Sequence, residues 1–256
     1  FPFASDGNAT DVGDYVASAK TGAGSSSSTA GYVSGGQTSS NAYLKGINKR
    51  LFASDASESN IGDLDLSGSD GVSRNMGNSS STDGYHSGGI SPVANNRKAI
   101  NKFSFSSDGD GTNIGDLTTT NSNYVGKGQA TGISSPTDGY VVGGSNPAIP
   151  EFTSMDKFPF ASDGNATDIG DLPRGVRNHA GHNSSTHGYT AGGTTNAGPL
   201  SPPGMLNVIE KFAFASDTTT AGDVGDLTAG RYGPAGTSST SSGYTAGGHY
   251  PAPSVG

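Results

Sequence analysis

The chain contains no cysteine and no tryptophan, and only 14% of its 256 residues are charged. Without cysteine there is no disulfide and no thiolate metal site, so thiol chemistry does not indicate a redox compartment. No apolar run approaches the ~20 residues that cross a bilayer, and glycine breaks every helix-favouring stretch, so a membrane partner is not expected. The 14 Lys and Arg are scattered against 22 Asp and Glu, giving a net charge of −8, which excludes a phosphate-binding face and with it a nucleic-acid partner. Hydrophobic residues make up only 30%. The first residue is Phe1 rather than Met and falls inside a repeat, which reads as a processed chain or a segment of a longer one.

What the chain has in quantity is small and polar: 42 Gly and 62 Ser plus Thr. Such a composition suits disorder until its periodicity is seen. Gly-Tyr pairs end at Tyr32, Tyr85, Tyr140, Tyr189 and Tyr244, spaced 53, 55, 49 and 55 residues apart, and Gly-Gly closes each. That is the period of a four-stranded propeller blade. Apolar residues recur at matched places in every copy, so each repeat contributes a few side chains to a thin continuous core.

Two hairpins are expected per repeat. The first opens on an aromatic strand, as in Phe1-Pro-Phe-Ala-Ser-Asp6 and Phe158-Pro-Phe-Ala-Ser-Asp163, with period-two alternation. A polar turn then leads to a β-branched residue before Gly-Asp, ending at Asp14, Asp63, Asp116, Asp171 and Asp226. The second hairpin runs from a Ser/Thr tract into the Gly-Tyr strand, with Asp83-Gly84 and Asp138-Gly139 as its expected turn dipeptides. Connectors of variable length and high Pro content follow each Gly-Gly and suit rim loops. Phe3, Phe52, Phe105, Phe160 and Phe214 are expected buried between blades, each costing about 3–5 kcal/mol on truncation to Ala.

The ends are out of phase with the repeat. The chain opens on an aromatic-strand hairpin and closes on a Gly-Tyr hairpin. Pairing of the two predicts one all-β domain over 1–256, a five-bladed β-propeller of four-stranded antiparallel blades. The blades then run over approximately 17–66, 70–117, 122–172, 175–227, and 230–256 plus 1–14.

Tyr-x-x-Gly-Gly, seen in Tyr32-Val-Ser-Gly-Gly36 and Tyr140-Val-Val-Gly-Gly144, followed by an aromatic strand with an Asp turn such as Phe160-Ala-Ser-Asp163, resembles the kelch-like β-propeller repeat. Where that family usually carries Trp, this chain has Ile169 and its equivalents. The Ser-Asp-Gly-Asn turns and Gly-Asp-Leu endings also look like those of hypothetical structural proteins of marine bacteriophages. These resemblances imply a repetitive display or binding module.

Asp6-Gly-Asn-Ala-Thr-Asp11 and Asp108-Gly-Asp110 place oxygens at spacings that suit Ca²⁺, but no bidentate Glu completes an EF-hand loop, and Asx turns account for them; beyond that Ca²⁺, no cofactor is expected. His179, His182 and His187 cluster in one repeat only, without a carboxylate at fixed spacing, and are not expected to hold a metal. Equivalent acids in equivalent blades argue against catalysis, which needs carboxylates with pKa values driven apart. The leading expectation is therefore a non-enzymatic structural or binding propeller. It would lie outside a cell or on a virion surface, contact a protein or glycan through its rim loops, and assemble into a larger structure. The alternatives are a lectin with one shallow sugar site per blade built from Tyr, Asp and Ser/Thr, and a five-bladed glycosidase.

Overall fold

A computed structural model of the chain describes residues 11–15, 19–54, 56–66, 70–92, 97–118, 126–196, 204–217 and 219–250. Every regular element among them is a strand. Four sheets, each built on four antiparallel strands, follow one another along the chain, and the third carries a short parallel edge pairing of Asp171 with Thr220. The first holds β1 (Ala23–Ser26), β2 (Ala30–Ser34), β3 (Gly46–Leu51) and β4 (Ser59–Asp63). The second holds β5 (Met76–Ser79), β6 (Asp83–Ser87), β7 (Ala99–Ser104) and β8 (Thr112–Asp116). The third holds β9 (Thr131–Ser134), β10 (Asp138–Val142), β11 (Ser154–Pro159) and β12 (Thr167–Asp171). The fourth holds β13 (Ala180–Asn183), β14 (His187–Ala191), β15 (Val208–Ala213) and β16 (Gly222–Asp226). A last hairpin, β17 (Ala235–Ser238) with β18 (Gly243–Ala246), repeats the first two strands of a sheet.

Small residues let the first strands of successive sheets stand side by side. A Cβ on Gly77 would collide with the Gly24 carbonyl, one on Gly132 with that of Gly77, and one on Gly236 with that of Gly181. Serine hydroxyls tie the same strands: Ser79 Oγ accepts from Ser26 N–H at 2.9 Å, Ser134 Oγ from Ser79 N–H at 3.0 Å and Ser238 Oγ from Asn183 N–H at 3.0 Å.

The core lies between sheets. Tyr32 stacks on Phe105 of the next sheet, Tyr85 on Phe160 and Tyr140 on Phe214, with centroids 4.8, 4.7 and 4.9 Å apart. The fully buried rings are the first of each Phe pair, Phe103, Phe158 and Phe212. This corrects the expected register: Phe105, Phe160 and Phe214 are half-buried, each lying across a tyrosine face. Phe52 is 62% exposed, because no tyrosine of a preceding sheet covers it, and Phe3 lies outside the described residues.

The Asp-Gly dipeptides are strand residues, not turns. The turn is Ser-x-Thr, in which Ser80 Oγ accepts from Thr82 and Asp83 N–H and Ser80 N–H donates to the Asp83 carbonyl; Ser135 does the same for Thr137 and Asp138. Gly84 and Gly139 are needed in the strand because the rings of Phe103 and Phe158 lie directly over them. Gly-Gly takes positive φ at both positions, 58° and 100° at Gly88-Gly89 and 63° and 97° at Gly143-Gly144. The second glycine then donates to the segment entering the next sheet: Gly36 N–H to the Val72 carbonyl, Gly89 to Lys127, Gly144 to Val176 and Gly193 to Arg231.

Among the described residues the succession is open at one place. Gly24 meets no atom within 4 Å, although every equivalent glycine touches a neighbour, and Tyr244 is 53% exposed. Residues 11–15 nevertheless pack against the first sheet, where Glu58 N–H donates to the Asp14 carbonyl at 3.1 Å. The aromatic strand of residues 1–6, to which ring closure was assigned, lies outside the described residues.

Candidate functional site

The first strands of all sheets line one central cavity of 970 Å³ whose walls are Gly, Ser, Thr and Asn, with Ile133 and Pro136. No acid, base or histidine side chain reaches it among the described lining residues. The two ends of this channel differ in kind. At one end every sheet shows only short turns, the Ser-x-Thr turn and the outer Ser-Asp turn. At the other lie the Gly-Gly connectors and the crossings between sheets, where the chain varies most.

The sequence-predicted carboxylates are far from the channel. They end the outermost strands and form joints between neighbouring sheets. The backbone N–H of Asp63 donates to Asp110 Oδ1 of the next sheet at 2.8 Å, and that of Asp116 donates to Asn165 Oδ1 at 3.0 Å. Their carbonyls accept from Gly111 and Ala166, and that of Asp171 accepts from Ala221. Their side chains face outward: Asp63 pairs with Lys45 at 2.9 Å, Asp116 with Lys98 at 2.8 Å, and Asp171 accepts from Thr153 Oγ1 at 2.6 Å. The Lys45 ammonium is pushed up by its hydrogen bond to Asp63. Asp14 and Asp226 are both exposed.

Of the turns that suggested Ca²⁺, Asp6 lies outside the described residues and Asp108 has another partner. Asp108 binds Lys49 of the preceding sheet, and the Asp163 and Asp217 of the equivalent turns bind Lys102 and Lys157, at 2.8, 3.2 and 2.8 Å, each hydrogen bond raising its lysine's pKa. Tyr32, Tyr85 and Tyr140 are 3%, 1% and 0% exposed, which removes them as sugar-stacking platforms; only Tyr189 and Tyr244 keep open faces. Burial raises the phenol pKa of Tyr85 and Tyr140.

The histidines do not converge. His182 bridges the Thr237 carbonyl at 3.1 Å and Thr245 Oγ1 at 3.0 Å, His187 meets Thr186, and His179 is buried beside Gly143. Burial lowers His179 to about 4. Among the described residues, no three His, Asp or Glu side chains gather as metal ligands.

The connector end holds a feature that the repeat pattern hides. The residue two positions before each first strand adopts left-handed backbone: Thr21 (φ 62°), Arg74 (52°), Gln129 (60°), Asn178 (53°) and Gly233 (64°). Arg74 N–H donates to the Thr21 carbonyl, Gln129 to Arg74, Asn178 to Gln129 and Gly233 to Asn178, at 2.8, 3.1, 2.8 and 2.9 Å, so an arc of four backbone bonds links the five positions along the channel mouth. Non-glycine residues held at positive φ cost of order 1–3 kcal/mol each and gather where structure over-determines them. Here the side chains differ at every copy, so no shared motif marks the position in sequence. Along this arc, Gln129 Nε2 meets Asn178 Oδ1 at 3.4 Å, Ser145 Oγ donates to Gln129 Oε1 at 2.7 Å, and Arg74 is exposed.

Consecutive four-stranded antiparallel sheets around one channel, joined through their first strands and outer turns, define a β-propeller-like all-β protein. Among solved structures the chain is similar to that of YjhT, with a TM-score of 0.70 over 91% of this chain and 78% of that one, at 13% identity. At that identity the likeness concerns the fold. No family model and no curated protein matches the sequence.

Proposed function

We propose that the chain is a non-enzymatic binding propeller of five blades, displayed outside a cell or on a virion, that takes a protein or glycan partner on its connector face. The observation that carries this reading is the contrast between the two faces. The turn face repeats the same Ser-x-Thr and Ser-Asp elements. The connector face mounts dissimilar side chains, Thr21, Arg74, Gln129 and Asn178, on a hydrogen-bonded arc. A scaffold that repeats its joints and varies one face is built to present that face. The neutral hydroxyl lining of the channel supports binding over acid–base chemistry, which needs titratable groups within reach of a substrate.

The test exploits the absence of native cysteine. Ser40→Cys on an exposed connector and Ser28→Cys on an exposed turn are each coupled to a polyethylene glycol maleimide and applied to glycan and surface-protein arrays. Blocking position 40 is expected to abolish the array signal and blocking position 28 to leave it intact. The opposite pattern, or turnover of an arrayed glycan, would overturn the proposal.

A further inference from the structure

Three of the steps between neighbouring first strands are closed by the same bond, from the N–H of the strand's last residue to a hydroxyl one sheet on: Ser26 to Ser79, Ser79 to Ser134 and Asn183 to Ser238, at 2.9, 3.0 and 3.0 Å. The step from β9 to β13 is the exception among the described residues. Asn183 stands where the other first strands carry serine, and no bond joins it to Ser134 N–H. The strands also stand further apart there. A Cβ on Gly77 or Gly132 would lie 2.1 Å from the preceding carbonyl oxygen and one on Gly236 2.5 Å, but one on Gly181 would lie 2.9 Å from that of Gly132.

This break leaves polar groups unmet. A hairpin alternates bonded and non-bonded pairs, and Ser135 N–H already closes its turn on the Asp138 carbonyl. The next pair, Ser134 with Gly139, therefore leaves Ser134 N–H pointing away from its own hairpin, with no acceptor on β13. Asn183 pairs with Gly188 as Ser134 pairs with Gly139, so strand alternation turns its side chain toward the preceding sheet and into the gap. Its carboxamide is exposed and makes no hydrogen bond among the described residues. Ser134 Oγ accepts from Ser79 N–H and, at 3.5 Å, from Asn78 Nδ2, which leaves its own proton to give. Asn78 is 2% exposed and donates from Nδ2 to the Ile133 and Tyr140 carbonyls at 2.6 and 3.2 Å, while its Oδ1 has no partner. Asn78, Ser134 and Asn183 all line the channel, with Ile133 and Pro136 as its apolar edge.

We infer that the gap between β9 and β13 is a single binding site inside the channel for a small neutral polyol, of the size of an uncharged monosaccharide. The site goes beyond the connector-face reading and does not depend on it. A free backbone N–H, a free hydroxyl proton and a free carbonyl oxygen, beside a carboxamide that both gives and accepts, match vicinal hydroxyls, which also do both. No charged side chain is among the described lining residues to hold an ion, and 970 Å³ leaves room for a sugar ring. Such a ring accepts from Ser134 N–H through one hydroxyl, bonds the Asn183 carboxamide through its neighbour and rests its C–H face on Pro136. At the steps from β1, β5 and β13 the same N–H is already spent, so those steps offer no equivalent site.

The repeat itself supplies the variant that tests this. Asn183→Ser restores the hydroxyl of the other first strands and is expected to close the step by accepting from Ser134 N–H. Glucose, galactose and mannose are titrated into the isotope-labelled whole chain and followed by NMR at the Ser134 backbone amide and the Asn183 side-chain amide. At least one sugar is expected to shift both signals saturably in the millimolar range. Asn183→Ser is expected to abolish the Ser134 shift, and Asn183→Ala, which keeps the gap and removes the carboxamide, to weaken binding about tenfold, as for one lost hydrogen bond. A Ser134 amide that no sugar moves, or that moves equally in either variant, overturns the inference. So does loss of the shifts when position 40 is blocked with polyethylene glycol, which would move the sugar to the connector face; shifts retained in the blocked protein support the channel site.

Discussion

His86 sits in the wall between the first two sheets with no exposed surface, its Nδ1 2.6 Å from Asn75 Nδ2 and 3.3 Å from Ser34 Oγ. The Asn75 amide donates, so Nδ1 accepts and the neutral ring carries its proton on Nε2, the Gly88 backbone holding the ring's pKa up against its burial. Burial pushes the ring down to about 3 from 6.5. A group whose folded pKa lies below its unfolded value contributes stability above the unfolded value and loses it as pH falls, because the unfolded chain binds the proton first. The protein is therefore expected to lose stability from about pH 6.5 down toward pH 3, with a slope from this site of up to ~1.4 kcal/mol per pH unit. His86→Asn should flatten that part of a plot of urea midpoint against pH. An unchanged slope would mean that the imidazole is hydrated or charged in the folded state. A second isolated polar site, Lys127 with Asp156 at 2.9 Å and both at most 1% exposed, is satisfied by Ser154 Oγ and by Thr118, whose N–H and hydroxyl both donate to Asp156.

At the scale of the element, the unit of stability is the junction between hairpins rather than the hairpin itself. The Gly-Tyr strand offers a flat patch where Phe158 lies over Gly139 and, from its Tyr, a face for Phe214 of the next sheet. Gly139→Ala places a methyl inside the van der Waals surface of the Phe158 ring and is expected to cost about 1–3 kcal/mol, read by thermal or urea unfolding. A neutral result would show that the ring can shift, and would remove the reason given for the glycine. Much of this element was legible in sequence. The Phe alternation, the Gly-Gly closures and the Gly-Asp endings all mark real structural positions. What was misread turns on side-chain reach: Asp138-Gly139 has the composition of a tight turn, but the Ser135 hydroxyl caps a turn three residues earlier and leaves the dipeptide in the strand. The β-branched residue before Gly-Asp is likewise a bulge rather than a simple ladder position, for register shifts around Ile61, Ile114 and Val224. The arc of left-handed residues at the channel mouth left no trace, because a backbone constraint filled by Thr, Arg, Gln, Asn and Gly has no common side chain.

At the scale of the molecule, one kind of junction is repeated head to tail through four sheets and a last hairpin among the described residues. The resemblance of the repeat to the kelch pattern and the likeness to YjhT both concern this architecture, and neither assigns chemistry to it. Junctions that repeat the same aromatic stack and backbone bonds explain how a chain with 30% hydrophobic residues and no cysteine keeps left-handed residues in place at the channel mouth. The most direct measurement is array binding by Arg74→Ala, which removes an exposed side chain from the channel mouth and leaves the backbone bonds there in place. The account predicts loss of the array signal with an unchanged unfolding midpoint. Full binding by the folded Arg74→Ala variant would contradict it.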